Sequence, residues 1–313
     1  MTSTPFISVR EYIRWLPHPA HEPTATLVLT SSSRKFIDVR ILNPQVSHPH
    51  PYHRANPPSA SDRLPRTRLD WAFAGTSSST PTVPSHCAWT HTIDSRDDDT
   101  DDDDPPPTPV PDAALCWPLP DDRTLERGTM VNPATGVETA YEELWRDVEA
   151  VVTAGNGSGS GGRDAPDGKR VCVVLEVDDE WGGKGVVIRV GGWCQGVFRA
   201  GREPVSVERY KWVAGRRGMR GGGGEDGGSP VGEGQGQGVR VVGMDLFAEG
   251  EEDEHGTGEG KWERVVKIGE RWMPCTVAMM AEEWSGVVGR PVEEGMVVEA
   301  GDARWTVTEK CLW

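Results

Sequence analysis

Several short stretches carry side chains that could do chemistry. His48, His50 and His53 of HPHPYH could hold a metal. Metal-binding imidazoles need a frame that brings them onto one centre. Pro49 and Pro51 instead hold the backbone extended, with no acid or thiol close by, so a flexible loop is expected. The run DSRDDDTDDDD has seven aspartates between 97 and 104 and could attract calcium. It lacks the glycine turn and the glutamate of an EF-hand loop. Mutual repulsion and the prolines that follow predict a solvated, disordered loop. Glu142 and Glu143 could serve as acid and base, but such work needs a second group across a cleft. Thr139 and Glu142 read as a capping box, which makes both carboxylates part of a solvated helix end. Cys87, Cys116, Cys172, Cys194, Cys275 and Cys311 show no CxxC and no regular spacing. They read as reduced structural thiols rather than disulfides or a zinc site. Neither G-x-x-x-x-G-K-[ST] nor G-x-S-x-G occurs. The expectation is therefore no catalytic residue, no metal and no cofactor.

Aromatic residues remain. In DWAFAGTSSST, Trp71 and Phe73 alternate with Asp70, Ala72 and Ala74. Alternation puts the two rings on one face of a strand, and Gly75 lets the chain bend into a hydroxyl-rich turn. The chain has thirteen tryptophans. They could fill a core or line a cavity, and Trp71, Phe73, Trp145, Trp193, Gln195 and Trp305 are the candidate barrel-lining or pocket residues.

The elements that must position them are mostly strands. TATLVLT and FIDVRIL flank SSSRK as a hairpin, the second run alternating Ile37, Val39 and Ile41 with Asp38 and Arg40, a strand with one wet face. Asn132 to Gly136 is a turn, and Tyr141, Leu144, Trp145 and Val148 fall on a helical stripe closing the first half. The second half restarts at VCVVLEV and continues through VVIRVGGWCQGVF, VSVERYKWV, VRVVGMDLF and WERVVKI. MPCTVAMMAEEW could start a helix, and a final hairpin turns at Ala300-Gly301-Asp302. Many short strands with regular turn signals predict a mainly β protein of two barrels, each closed by a short helix. The boundary is the Gly-rich linker 154–168. It separates an N-terminal barrel domain (1–153, with disordered inserts at about 43–68 and 95–112) from a C-terminal one (169–313, inserts at about 216–238 and 249–260).

Composition limits the partners. With 313 residues, a net charge of −16 and a hydrophobic fraction of 36%, the chain carries spacer as well as core. It lacks the basic stripe that grips a phosphate backbone, so no nucleic-acid partner is expected. No stretch approaches the roughly 20 apolar residues that span a bilayer. MTSTPFISVREYIRWLP has no apolar h-region, which predicts a cytosolic or nuclear protein.

Four blocks in order resemble the fungal Hri family, proteins named for interaction with a casein-kinase-I homologue. They are DWAFAGT, YEELWRDVE, VVIRVGGWCQGVF and GMVVEAGDARWTVTE. The resemblance implies two consecutive lipocalin-like β-barrels, no established catalysis and a casein-kinase-I-type kinase or other protein as partner. The low-complexity inserts depart from shorter members. Two function classes follow. One is a non-catalytic interaction protein or carrier, with a small apolar ligand as a candidate. The other is a lipocalin-like pericyclase or isomerase, whose reaction needs shape and a few hydrogen bonds rather than a nucleophile. Ser95 and Thr100, set among acids, are candidate phosphorylation sites.

Overall fold

The computed structural model describes residues 3–44, 63–97, 112–153, 170–178, 183–214, 260–281 and 291–313. The histidines 48, 50 and 53, most of the aspartate run with Thr100, the linker 154–168 and VRVVGMDLF lie outside the described residues, as do the insert 216–238 and most of 249–260.

The first half is a closed barrel of eight antiparallel strands in chain order: β1 (Phe6–Trp15), β2 (Thr24–Thr30), β3 (Lys35–Leu42), β4 (Leu69–Ser79), β5 (Ser85–Asp94), β6 (Asp112–Leu119), β7 (Arg123–Asn132) and β8 (Val137–Val148). A 3-10 turn at Arg66–Arg68 leads into β4. Closure comes from β1 against β8, running from Ile7 opposite Val148 to Trp15 opposite Tyr141. The turn at Asn132–Gly136 forms as its residues dictate: Ala134 N–H donates to Asn132 Oδ1 at 2.9 Å, and Gly136 has φ +68°.

The expected helix at 139–148 is instead strand β8. Leu144 and Val148 suit a helical stripe, but Tyr141, Glu143, Trp145 and Asp147 also repeat at period two, and all four face the barrel interior. Cross-strand pairing with β1 over 141–148 and with β7 over 137–146 takes up the peptide groups that a helix would have paired locally.

The second half is a seven-stranded antiparallel sheet. Its strands are β9 (Val171–Asp178), β10 (Gly183–Val190), β11 (Trp193–Ala200), β12 (Ser206–Val213), β13 (Lys261–Ile268), β14 (Val297–Ala300) and β15 (Ala303–Leu312). The order is β13-β12-β11-β10-β9-β15-β14. A short helix, α1 (Cys275–Met279), covers one face, packing Val277, Ala278 and Met279 on Val187, Phe198 and Trp305. The last hairpin turns at Gly301-Asp302, with Ala300 opposite Ala303.

The apolar face of the barrel points outward. Leu27, Leu29, Ile37, Val39, Ala72 and Ala74 are fully buried against Val174, Ile188, Val197, Val207 and Val266 of the second sheet. Ile37, Val39 and Ile41 therefore form the seam with the second sheet. Asp38 and Arg40, expected on a wet face, point into the barrel. The seam is also pinned by polar contacts. Gln195 Nε2 donates to Leu27 O (3.1 Å) and Ile37 O (3.3 Å), and Arg209 donates to Gln195 Oε1 and to Val39 O, both at 2.7 Å. Arg209 has no carboxylate in contact among the described residues, and burial lowers its pKa to about 9.

A candidate ligand pocket inside the first barrel

Because the barrel puts its greasy side out, its lumen is lined by the alternate residues. Those carry rings, hydroxyls and charges around a cavity of about 340 Å³. Each lumen residue is placed by strand alternation: Asp38 and Arg40 on β3, Trp71 and Phe73 on β4, Glu126 on β7, Tyr141, Glu143 and Trp145 on β8.

One wall is aromatic. Trp71 and Phe73 have ring centroids 4.2 Å apart, and Phe73 lies 4.5 Å from His91 and 5.7 Å from Phe36. The guanidinium of Arg40 sits 4.9 Å from the Trp71 ring centre, a cation–π distance. Trp71 is held in place. Its Nε1–H donates to Asp94 Oδ1 at 2.6 Å, while Asp94 Oδ2 meets His91 Nδ1 at 2.8 Å and Asp112 meets His91 Nε2 at 2.9 Å. Burial alone would lower the His91 pKa, but the bonds from Asp112 and Asp94 outweigh it and raise the pKa to about 9. A raised folded-state pKa contributes stability that is complete below the ordinary value of 6.5 and is lost as pH rises through about 9. Urea unfolding should therefore show a falling midpoint over that window, and H91Q should flatten the fall. A wild-type midpoint that stays level across the window would disprove the ion pairing.

Directly beside this wall lies an ionic network, because Arg40 stands opposite Trp71 and Asp38 opposite Phe73 in the β3–β4 register. Arg40 bonds Asp38 Oδ2 at 2.9 Å and Glu143 Oε1 at 3.3 Å. Arg10 also bonds Glu143, and reaches Glu22 (2.8 Å) and Thr24 (2.9 Å). Glu143 is 1% exposed, so it is a barrel-interior residue and not a solvated helix end. Its neighbour Glu142 pairs with Arg127 and Arg14 toward the outside. Glu126 accepts the Tyr141 hydroxyl at 2.8 Å. Burial, then the nearby Glu143, push the Glu126 pKa well above the usual carboxylate range. Burial also raises Asp38, outweighing Arg40.

Two buried polar atoms on this lining have no hydrogen-bond partner among the described residues: Asp38 Oδ1, an acceptor, and Trp145 Nε1, a donor. Buried polar groups are ordinarily paired, so each is a position where a ligand atom would be stabilised. Among lining groups, the carboxyls of Asp38, Asp112, Glu126, Glu143 and Asp147 outnumber the guanidiniums of Arg34 and Arg40.

The sequence-derived candidates divide. Trp71, Phe73 and Trp145 line this cavity. Trp193 borders a separate pocket of about 230 Å³ beside Lys211 and Arg10. Gln195 is a seam residue bonded to barrel carbonyls. Trp305 is fully buried in the core of the second sheet, its ring 5.6 Å from Phe198. Ser95 follows β5 directly, its hydroxyl accepting the Ala72 N–H at 2.9 Å. Asp38, Arg40 and Glu126 are not singled out by the sequence, and Glu143 is read there as part of a solvated helix end. For Asp38 and Arg40 the signal is charge alternating with Ile37, Val39 and Ile41 on β3.

Comparison with known proteins follows the architecture. The sequence profile of the family described as Protein HRI1 matches residues 6–309. The crystal structure of an uncharacterized protein, YLR301w, from Saccharomyces cerevisiae is similar with a TM-score of 0.55 at 15% identity. That similarity covers 99% of this chain and 100% of that one. No curated protein matches. Among the described residues, no helix is long and apolar enough to cross a membrane.

Proposed function

The chain belongs to the HRI1 protein family, and on that premise we propose that its first barrel is a non-catalytic receptor for a small ligand. The ligand class is an aromatic molecule with a protonated nitrogen or a comparable hydrogen-bond donor. One observation carries this reading: a buried carboxylate oxygen, Asp38 Oδ1, lies unpaired on an aromatic-walled cavity of about 340 Å³. A barrel lumen of this size suits one small molecule. The unpaired acceptor at Asp38 Oδ1 favours a hydrogen-bond donor over the wholly apolar ligand that the tryptophan content alone suggests. Trp71 and Phe73 supply the ring faces, Asp38 the acceptor and Trp145 Nε1 a donor.

A second reading, an isomerase-type catalyst, is favoured by Glu126. A carboxylic acid that keeps its proton beside a tyrosine hydroxyl can act as a proton donor.

Native mass spectrometry of protein from its own cells tests both. A bound molecule of the stated class, recovered chemically unchanged, is the expected result. D38N should then weaken it at least tenfold, roughly the worth of one charge-assisted hydrogen bond. Conversion of the molecule on the protein, abolished by E126Q, would replace the receptor reading with the catalytic one. A clean unliganded mass, with no screened aromatic cation quenching the lumen tryptophans, would defeat both.

A further inference from the structure

The cysteines that look scattered in sequence meet in space as three pairs: Cys87 with Cys116, Cys194 with Cys275, and Cys172 with Cys311. All are free thiols. Cys194 and Cys275 are both fully buried, and Cys87 and Cys116 sit in the lumen as a diagonal pair two residues apart in register. The third pair differs. Cys311 on β15 stands directly opposite Cys172 on β9. Residues directly opposite in an antiparallel pair have Cα atoms about 4.5 or 5.5 Å apart, within the range a disulfide spans. Exposure is asymmetric: Cys172 is fully buried and Cys311 is half-buried.

We infer that Cys172 and Cys311 form a reversible thiol–disulfide exchange site on the seam between the barrel and the second sheet, oxidised by a low-molecular-weight disulfide such as glutathione disulfide. Cys311 is the attacking group. The hydrogen bond from Cys172, helped by Ser32, lowers its thiol to about 7, a value that leaves a large thiolate fraction at neutral pH. Cys172 is pushed the other way, by that same hydrogen bond and by burial, which suits a resolving thiol. The Cys311 thiolate attacks one sulfur of glutathione disulfide. The glutathione S–S bond breaks, one glutathione thiolate leaves, and a Cys311–glutathione disulfide forms. Cys172 then gives up its proton and attacks the Cys311 sulfur, expelling the second glutathione. The two protein thiols are oxidised by two electrons, and one glutathione disulfide becomes two glutathione thiols.

A metal could compete for the same atoms, because ligand atoms of Cys172, Glu309 and Cys311 lie within 4.8 Å of one another. The carboxylate is already engaged, however. Glu309 accepts Ser31 Oγ at 2.8 Å, Ser32 N–H at 2.9 Å and Ser32 Oγ at 2.5 Å, together with the Ser33 hydroxyl. A metal would have to strip those donors, whereas disulfide formation leaves them in place.

The test is incubation of the full chain in glutathione redox buffers, alkylation of remaining thiols and peptide mapping by mass spectrometry. A Cys172–Cys311 linked peptide that returns to free thiols under reducing glutathione is expected. C172S should trap glutathione on Cys311, and C311S should show neither product. Wild-type protein also gives a readout that needs no substitution: the alkylation rate of Cys311 should rise with a midpoint near pH 7. Complete alkylation of both cysteines after the oxidising buffer overturns the proposal. So does exclusive linkage of Cys87 to Cys116, or zinc that protects both thiols while no linked peptide forms.

Discussion

Replacing Gly75 by valine is expected to leave almost no folded protein in the soluble fraction. Gly75 lies on β4 at a register shift, where the pairing steps from Ala74 opposite Ile93 to Gly75 opposite His91. A side-chain carbon there would drive into the Thr90 carbonyl, coming within 2.9 Å of its carbon and 3.1 Å of His91 Cα. These are backbone atoms, so relief requires separating β4 from β5. That separation would move Trp71 and Phe73 off the cavity and Ala72 and Ala74 off the seam. Overpacking against movable side chains costs ~1–3 kcal/mol, and a clash with a strand backbone should exceed that. Few domains have more than roughly 5–15 kcal/mol to lose. The control is G136A, in the β7–β8 turn, where φ is +68° but nothing lies within 4 Å; its cost should stay near 1 kcal/mol. Soluble yield and circular dichroism compare the two. A G75V protein melting within a few degrees of wild type would refute the steric account.

The second large effect is expected from R40M, which should cost about 3–5 kcal/mol at neutral pH. Arg40 is the cation in contact with Asp38, and it shares Glu143 with Arg10. Its pKa stays high because Asp38 and Glu143 outweigh its burial. Methionine fills the stem but strands Asp38, which is 3% exposed, without a counterion in contact. Asp38 already has a raised pKa, and losing Arg40 raises it further. A carboxyl with a raised folded-state pKa costs stability increasingly as pH climbs above its unfolded value, ~3.9, so the defect should be smallest in mild acid. Adding D38N should recover half or more of the loss. Urea denaturation of the single and double variants across pH measures this. A single variant within ~0.5 kcal/mol of wild type would show that the ion network does not hold the lumen.

The strands themselves are legible in the residue pattern. FIDVRIL and DWAFA alternate cleanly and form β3 and β4, and the turns at 132–136 and 301–302 follow from their glycines. What alternation does not tell is which face is inside. The outward Ile37, Val39 and Ile41 are covered by β10 and β11, segments about 150 residues further along, so no local signal marks the polar face as the lumen. The same locality explains β8: Thr139 and Glu142 suit a helix start, and only pairing with β1 and β7 decides for a strand. The thiol pairs are equally hidden, since Cys172 and Cys311 meet through sheet order rather than spacing. The aromatic half of the pocket, Trp71, Phe73 and Trp145, could be named from sequence because bulky rings attract attention. The ionic half could not, because charged residues at alternate positions ordinarily face water.

The outward greasy face has an evolutionary consequence. In most small barrels the lumen is also the hydrophobic core, so a change of lining residues risks the fold. Here the burial that holds the barrel together lies against the second sheet. Lumen positions outside the ion network, such as Val28, Trp89 and Met130, can be exchanged at little cost to that burial. The second sheet thus acts as an external scaffold that relieves the lumen residues outside the ion network of structural duty.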